Sequence, residues 1–104
     1  SELLDEQFDR LSDLEQQIMY WIAIDRDGAS LSELAEDLVP TIPKRQLIEA
    51  LATLARRPIV EKRGSKFTQQ PVVMEYVIDR FIDQIYHELC TESFQRLMSH
   101  ALIK

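Results

Sequence analysis

The sequence of 104 residues is poor in cysteine and glycine and has no long apolar run. Its single cysteine, Cys90, cannot form a disulfide within the chain and fits a reducing, cytoplasmic setting. Two glycines are too few for a phosphate-binding GxxxxGK[ST] loop. No stretch approaches the roughly 18 apolar residues of a membrane span, and the acidic N-terminus is unlike a secretory signal peptide. Because the chain starts at Ser1 and not at methionine, we expect it to be a piece of a longer protein.

The composition is that of a globular domain, but its charge is unevenly distributed. Hydrophobic residues make up 45% of the chain and charged residues 29%, enough apolar material for one core. Residues 1–43 hold eleven acidic and two basic side chains, a net charge of −9, whereas residues 44–66 carry +5 and residues 67–104 carry −2. The overall charge of −6 therefore hides a basic segment, so the overall charge does not by itself exclude nucleic acid as a partner.

Hydrophobic periodicity predicts a short lead-in helix and three further helices before residue 58. The apolar stripe of the first of these three runs from Leu14 to Ile24 and stops before Asp27-Gly28. Ser30 and Glu33 form a capping box that starts a short second helix, which Pro40 ends. Pro43 suits the start of the third helix, which Pro58 closes. The expected inner face of that third helix is Leu47, Ile48, Leu51 and Leu54.

The C-terminal half predicts a β-hairpin followed by two helices. Gly64-Ser65 lies between two short strand-like segments and is a two-residue hairpin signal. Pro71 opens the longest helix, with an inward face of Met74, Val77, Ile78, Phe81, Ile82, Ile85 and Leu89. Thr91 is expected to cap a final helix with Phe94, Leu97, Met98, Ala101 and Leu102 on one side.

This order of elements predicts a mainly α fold. We expect a winged helix-turn-helix, with three helices and a two-stranded β-wing, plus one or two extra C-terminal helices. Residues 1–11 are a lead-in from an upstream region, 12–89 are the winged-helix domain, and 90–104 lead to a downstream domain.

The side chains that carry most enzyme chemistry are few and poorly placed. His87 and Cys90 are near enough to share a metal ion, but no CxxC or HxxxH companion completes four ligands. Asp79 and Asp83 imitate an acid/base pair, yet charges opposite an apolar stripe are normally a solvated surface. We therefore predict no catalytic residues, no metal site and no enzymatic activity for this chain.

Two functions fit the basic segment. In a helix-turn-helix protein the second helix of the motif enters the major groove of DNA, where Lys44, Arg45 and Gln46 suit base edges. Glu49 argues against this, because it lies one turn along and would confront phosphate. The same surface could dock on an acidic surface elsewhere in the polypeptide. The candidate docking or DNA surface is Lys44, Arg45, Gln46, Arg56, Arg57, Lys62, Arg63 and Lys66.

Five segments, taken in order, resemble a known family. They are residues 8–15 (FDRLSDLE), 18–24 (IMYWIAI), 37–40 (DLVP), 59–62 (IVEK) and 67–77 (FTQQPVVMEYV). Together they resemble the winged-helix domain that follows the nucleotide-binding core of NB-ARC proteins, which are STAND-class signalling ATPases. The likeness covers roughly residues 3–104 and is strongest to bacterial NB-ARC proteins with C-terminal WD repeats.

The resemblance implies a regulatory role in a multidomain protein. In this family the winged helix packs on the nucleotide-binding core in the ADP state and moves away on nucleotide exchange. A histidine before the helix that follows the wing typically reaches the ADP phosphate, and Gln70 stands at that position here. Gln70 keeps a donor NH₂ but carries no charge; alternatively it only caps the helix starting at Pro71.

The expected partners are the nucleotide-binding core and a downstream repeat domain, with no membrane contact. ADP or ATP belongs to the parent protein and no cofactor to this chain. Exposed Phe94 and Met98 would form a second docking surface. The alternative function is that of a DNA-binding winged-helix transcriptional regulator.

Overall fold

A computed structural model describes residues 2–38, 42–57 and 59–103. The described residues are mainly helical, as predicted, with one small antiparallel sheet. In chain order the elements are α1 (Glu2–Asp9), α2 (Asp13–Ile24), β1 (Ala29–Ser30), α3 (Leu31–Asp37), α4 (Lys44–Ala55), β2 (Glu61–Arg63), β3 (Lys66–Thr68) and α5 (Pro71–Ile103). Pro40 and Pro58, predicted to end helices, lie outside the described residues.

Two capping boxes fix where α2 and α3 begin. The Ser30 hydroxyl accepts the Glu33 amide at 3.2 Å, and the Glu33 carboxylate accepts the Ser30 amide at 3.1 Å. Ser12 and Glu15 make the same pair of bonds at the start of α2. Each box satisfies two amides that have no partner within the helix, and the capping box predicted at Ser30 is confirmed.

The sheet has the strand order β1-β3-β2, and both pairings are antiparallel. The predicted hairpin is confirmed: Lys62 pairs with Phe67, and Arg63 pairs with Lys66 across the tip. Strand β1 was not predicted, because two residues are too short to show a periodicity of two. Its Ala29 pairs with Phe67 and joins the hairpin to the start of α3.

The core lies among α2, α3, α4, the sheet and the first turns of α5. One buried polar residue, Gln69, joins it by donating its side-chain Nε2 to the Met19 carbonyl at 3.1 Å. The buried apolar residues are Phe8, Leu11, Ile18, Met19, Ile22, Ala23, Ala29, Leu34, Leu38, Leu47, Leu51, Leu54, Ile59, Val60, Val73 and Val77.

Helix α1 is held to α5 by a polar and aromatic cluster. Tyr76 donates its hydroxyl to the Asp5 carboxylate, and Arg80 Nη2 lies 2.8 Å from the Asp9 carboxylate. The Arg80 guanidinium also lies over the buried Phe8 ring, 4.8 Å from its centroid, a cation–π geometry. Burial, together with the hydrogen bond to Asp5, raises the pKa of Tyr76 to about 12.

Helix α5 is one continuous helix of 33 residues, so the prediction of a break near Cys90 with Thr91 as a cap is wrong. Residues 72–103 contain neither proline nor glycine, so nothing in the backbone interrupts the helix there. A threonine within a helix costs only about 0.7 kcal/mol relative to alanine, too little to end it.

Several residues predicted to face the core are exposed. Ile82, Ile85 and Leu89 are 57%, 40% and 57% exposed, because α5, about 50 Å long, is longer than the rest of the fold. Ile24 and Ile48 are likewise half-exposed. Phe94 and Met98 are exposed as expected, whereas the side chains of Leu97, Ala101 and Leu102 lie outside the described part.

Candidate functional site

The first turn of α4 presents three of the predicted surface residues to solvent. Lys44, Arg45 and Gln46 are exposed, while the buried Leu47 anchors the turn to the core. Arg45 Nε lies 3.5 Å from Glu49 Oε1, one turn further along the exposed face. An exposed pair of this kind contributes little to stability, but it means that Glu49 offsets part of the charge at this end of α4.

The wing contributes the second group of cations. Lys62, Arg63 and Lys66 are exposed, and Arg63 stands opposite Lys66 in the ladder, as predicted. Like charges in that position repel, and Arg63 Nη2 instead approaches Glu61 Oε2 at 3.3 Å.

An apolar groove lies between α4 and the wing and is called here the α4–wing groove. Its volume is about 650 Å³, and Lys62 stands among its lining residues. Ile48, which is 50% exposed, is the most exposed of its large apolar side chains. The full lining is Leu31, Ile48, Leu51, Ala52, Ala55, Lys62, Gly64, Ser65 and Phe67.

Sequence reasoning missed this groove because it placed Ile48 in the core. Consecutive helix positions are about 100° apart, and whether both are buried depends on how widely the fold covers the helix. Helix α2 buries the consecutive pair Ile18 and Met19, so the sequence of α4 alone carries no signal that Ile48 is left outside the core. The structure buries Leu47 and leaves Ile48 to the groove.

The eight predicted surface residues form three groups, one of which is the set of wing cations Lys62, Arg63 and Lys66. Lys44, Arg45 and Gln46 lie at the start of α4, and Arg56 and Arg57 directly follow its end, about 18 Å away along the axis. The part of α4 that lines the α4–wing groove runs from Ile48 to Ala55, between these two groups. Arg57 is half-buried, whereas the other seven are exposed.

Gln70 lies in the loop between β3 and α5 and is exposed. Its backbone carbonyl accepts the Met74 amide at 2.9 Å, which starts the hydrogen bonding of α5. Its side chain borders an open pocket of about 570 Å³, called here the Gln70 pocket. The full lining is Arg26, Asp27, Glu61, Arg63, Lys66, Thr68, Gln69, Gln70, Pro71 and Met74.

The structure therefore brings Gln70 to the same pocket as two wing cations, Arg63 and Lys66. Arg26 adds a third positive charge, and Asp27 and Glu61 add two negative ones. The Gln70 pocket was missed because Arg26 lies 44 positions away along the chain.

His87 and Cys90, for which no metal site was predicted, lie on the exposed part of α5. His87 and Cys90 are both exposed, and Cys90 is a free thiol. Across residues 2–38, 42–57 and 59–103, no three His, Cys, Asp or Glu side chains are grouped so that they could hold a metal ion. Within the same ranges, no helix combines the length and the apolar character needed to cross a membrane.

Comparison with known proteins gives one informative likeness. No protein-family model matches the chain, and no solved structure matches it. Over 88 residues the chain is 52% identical to an uncharacterized WD repeat-containing protein of Nostoc sp.. The aligned part is 85% of this chain but 7% of that relative. The chain is thus similar to one small segment of a much longer WD repeat-containing protein, which fits the WD-repeat parent that the resemblance implies.

Proposed function

We propose that this chain is a winged helix-turn-helix module of a longer signalling protein that also carries WD repeats. In this proposal it has no catalytic role of its own. It packs on an NB-ARC-type nucleotide-binding core in the ADP state and moves away on nucleotide exchange. Support comes from the order α2-β1-α3-α4-β2-β3, which is compatible with the helix and hairpin order of a winged helix, and from the WD-repeat relative.

The α4–wing groove is the observation that carries the docking role. Protein interfaces combine an apolar centre with a polar rim, and the lining of this groove combines half-exposed Ile48 and other apolar side chains with the cation Lys62. A surface that binds duplex DNA meets chiefly phosphate and sugar, which gain nothing from an apolar groove. An acidic protein surface with a protruding apolar side chain would match both the apolar lining of the groove and the positive charge of Lys62.

Gln70 is the proposed contact to ADP bound in the parent protein. The residues of the Gln70 pocket suit a phosphate group, because the Gln70 side chain offers N–H donors and Arg26, Arg63 and Lys66 offer positive charge. Glu61 already pairs with Arg63 at 3.3 Å, so a phosphate group would compete with that carboxylate. Gln70 supplies a neutral hydrogen bond, weaker than one from a charged donor.

The test uses the full-length protein loaded with a fluorescent ADP analogue. Burying the exposed half of Ile48 is worth about 1 kcal/mol, so Ile48→Glu is expected to accelerate ADP release about fivefold. Gln70→Ala is also expected to accelerate release. Leu3→Glu, the same kind of apolar-to-acidic change at an exposed residue of α1, is the matched control and leaves the rate unchanged. Unchanged release in both Ile48→Glu and Gln70→Ala would refute the docking role.

The DNA-binding alternative rests on Lys44, Arg45 and Gln46, which are exposed on the first turn of α4. Fluorescence anisotropy of the chain with mixed-sequence duplex DNA decides it, at low and at physiological salt. Micromolar binding that weakens steeply with salt and is lost in Lys44→Glu would favour DNA. Absence of binding at low salt would exclude DNA.

A further inference from the structure

A second groove, distinct from the α4–wing groove, lies between α2 and α5. This α2–α5 groove has a volume of about 420 Å³. Its apolar lining consists of Tyr20, Trp21, Ile24, Phe81 and Ile85. The rings of Tyr20 and Phe81 pack with their centroids 5.1 Å apart, while Ile24 and Ile85 are 47% and 40% exposed. The groove therefore offers a largely aromatic and aliphatic surface that the described chain does not cover.

The charged side chains that line the α2–α5 groove are all acidic. They are Asp13, Asp37 and Glu88, and among the described lining residues there is no lysine, arginine or histidine. The nearby cation Arg80 is engaged by Asp5 and Asp9. The carboxylates of the rim therefore face solvent with no cation of this groove beside them.

Part of the rim is held in place by hydrogen bonds between side chains. Tyr20 donates its hydroxyl to Gln84 Oε1 at 2.7 Å, and Gln84 Nε2 donates to Glu88 Oε1 at 3.2 Å. This chain of bonds fixes the Glu88 carboxylate at the edge of the aromatic surface. A partner cation would find its acceptor already oriented, which reduces the entropy cost of binding.

The apolar surface continues beyond the groove along α5. Ile82, Ile85 and Leu89 follow one another at steps of three and four residues, which places them on one helix face. They are exposed, and with Tyr86 beside them they extend the lining of the groove. Contiguous apolar surface of this kind marks a binding site when polar residues surround it.

We infer that the α2–α5 groove and this stripe of α5 bind a basic amphipathic helix, with one apolar face flanked by lysine or arginine. Its apolar side chains would lie against Trp21 and Ile85 as a third helix beside α2 and α5, a helix-in-groove mode of recognition. Its cations would pair with Asp37 and Glu88. A second copy in the same groove fits poorly, because its own acidic rim and net charge of −6 would repel the first.

Trp21 provides the readout, because it is the single tryptophan of the chain and lines the α2–α5 groove. The probe is a synthetic 18-residue helix of leucine and lysine with the leucines on one face. Two control peptides are the same sequence with glutamate for lysine and the same composition in scrambled order. We expect the leucine–lysine helix alone to shift Trp21 emission to shorter wavelength, with an affinity that falls as salt rises.

Three variants of the 104-residue chain locate the binding. Ile85→Arg is expected to weaken binding at least tenfold, and the double variant Asp37→Asn/Glu88→Gln to reduce its salt dependence. Ile48→Arg is the matched control, because Ile48 is also about half-exposed but belongs to the α4–wing groove. All the changed side chains are exposed, so the fold should be kept, and circular dichroism checks this.

The inference is wrong if the leucine–lysine helix does not bind, or if the scrambled peptide binds equally well. It is also wrong if Ile85→Arg and Ile48→Arg behave alike. Sedimentation at rising protein concentration gives a further check: a dimer that Ile85→Arg dissolves would assign the groove to a second copy and overturn the inference. The proposed function is tested by ADP release from the full-length protein, so failure of the leucine–lysine helix to bind the α2–α5 groove leaves the proposed function unchanged.

Discussion

Substituting the two glycines, Gly28 and Gly64, by alanine tests how closely the wing packs against the loop between α2 and β1. Both have positive φ, +96° at Gly28 and +61° at Gly64. A Cβ at Gly28 would lie 2.8 Å from Thr68 Cγ2 and 3.2 Å from Lys66 Cβ, whereas a Cβ at Gly64 would meet nothing within 4 Å. Both positions therefore strain the backbone of an L residue, Gly28 more so because its φ lies outside the left-handed region of about +50 to +70°, and Gly28 alone of the two adds a steric contact.

The expected costs follow from that difference. Alanine at a positive φ costs about 1–2 kcal/mol, of which the lower entropy of the unfolded chain offsets up to about 1 kcal/mol. Gly64→Ala is thus expected to lower the free energy of unfolding by about 1 kcal/mol. Gly28→Ala adds an overpacking cost of about 1–3 kcal/mol, because β3 must move away from the loop before β1.

Urea denaturation followed by circular dichroism measures both changes, since a domain of this size normally unfolds in one step. Thr68→Ser removes the Cγ2 atom that a Cβ at Gly28 would meet. In the Gly28→Ala background it is expected to recover about 1 kcal/mol relative to its effect in the wild type, and in the Gly64→Ala background nothing. Equal losses in the two glycine variants, or no recovery with Thr68→Ser, would refute the steric argument.

Two further predictions concern buried and half-buried polar groups. Because the pKa of Tyr76, about 12, lies above the usual tyrosine value of about 10, the folded protein holds this proton more tightly than the unfolded one. Stability present below pH 10 should therefore be lost as the pH rises towards 12. The urea midpoint should fall less over this range in Tyr76→Phe, and an equal fall would contradict the assignment. Gln69 donates to Met19, but its Oε1 has no hydrogen-bond partner in the described structure. Gln69→Leu should change the free energy of unfolding by less than about 1 kcal/mol, whereas Gln69→Glu should cost more than about 2 kcal/mol at pH 7 and less in acid; equal effects in urea denaturation would contradict this.

The sequence predicts best where the determinant is local. The Ser30–Glu33 capping box and the Gly64-Ser65 turn involve residues within four positions of each other, and the structure contains both. Strand β1 could not be predicted, because Ala29-Ser30 becomes a strand only through pairing with Phe67 and Lys66. At Thr91 a boundary was predicted that does not exist. Threonine favours helix starts, but no residue before it ends α5, which continues to Ile103.

The candidate surfaces were also predicted only in part, because some of their properties are local to a residue and others depend on long-range packing. Charge and exposure follow from residue type, so the exposed cations of α4 and the wing could be named in advance. The apolar periodicity of α5 correctly predicted that Val77 is buried, but it missed the buried Val73, and periodicity does not show what a helix face meets. Val73 and Val77 meet the core, whereas Ile85 and Leu89 continue the same pattern where there is no core to cover them. Both grooves depend on such leftover apolar side chains.

The length of α5 has a mechanical consequence. Its first turns are fixed in the core by Val73 and Val77, while its last 22 residues, 82–103, extend about 33 Å along the helix axis. A helix hydrogen-bonded throughout behaves as a stiff lever, so a rotation of the core by about 20° would swing the far end by roughly 11 Å. A small reorientation of the module is thereby converted into a large displacement at Ile103, without any hinge within α5.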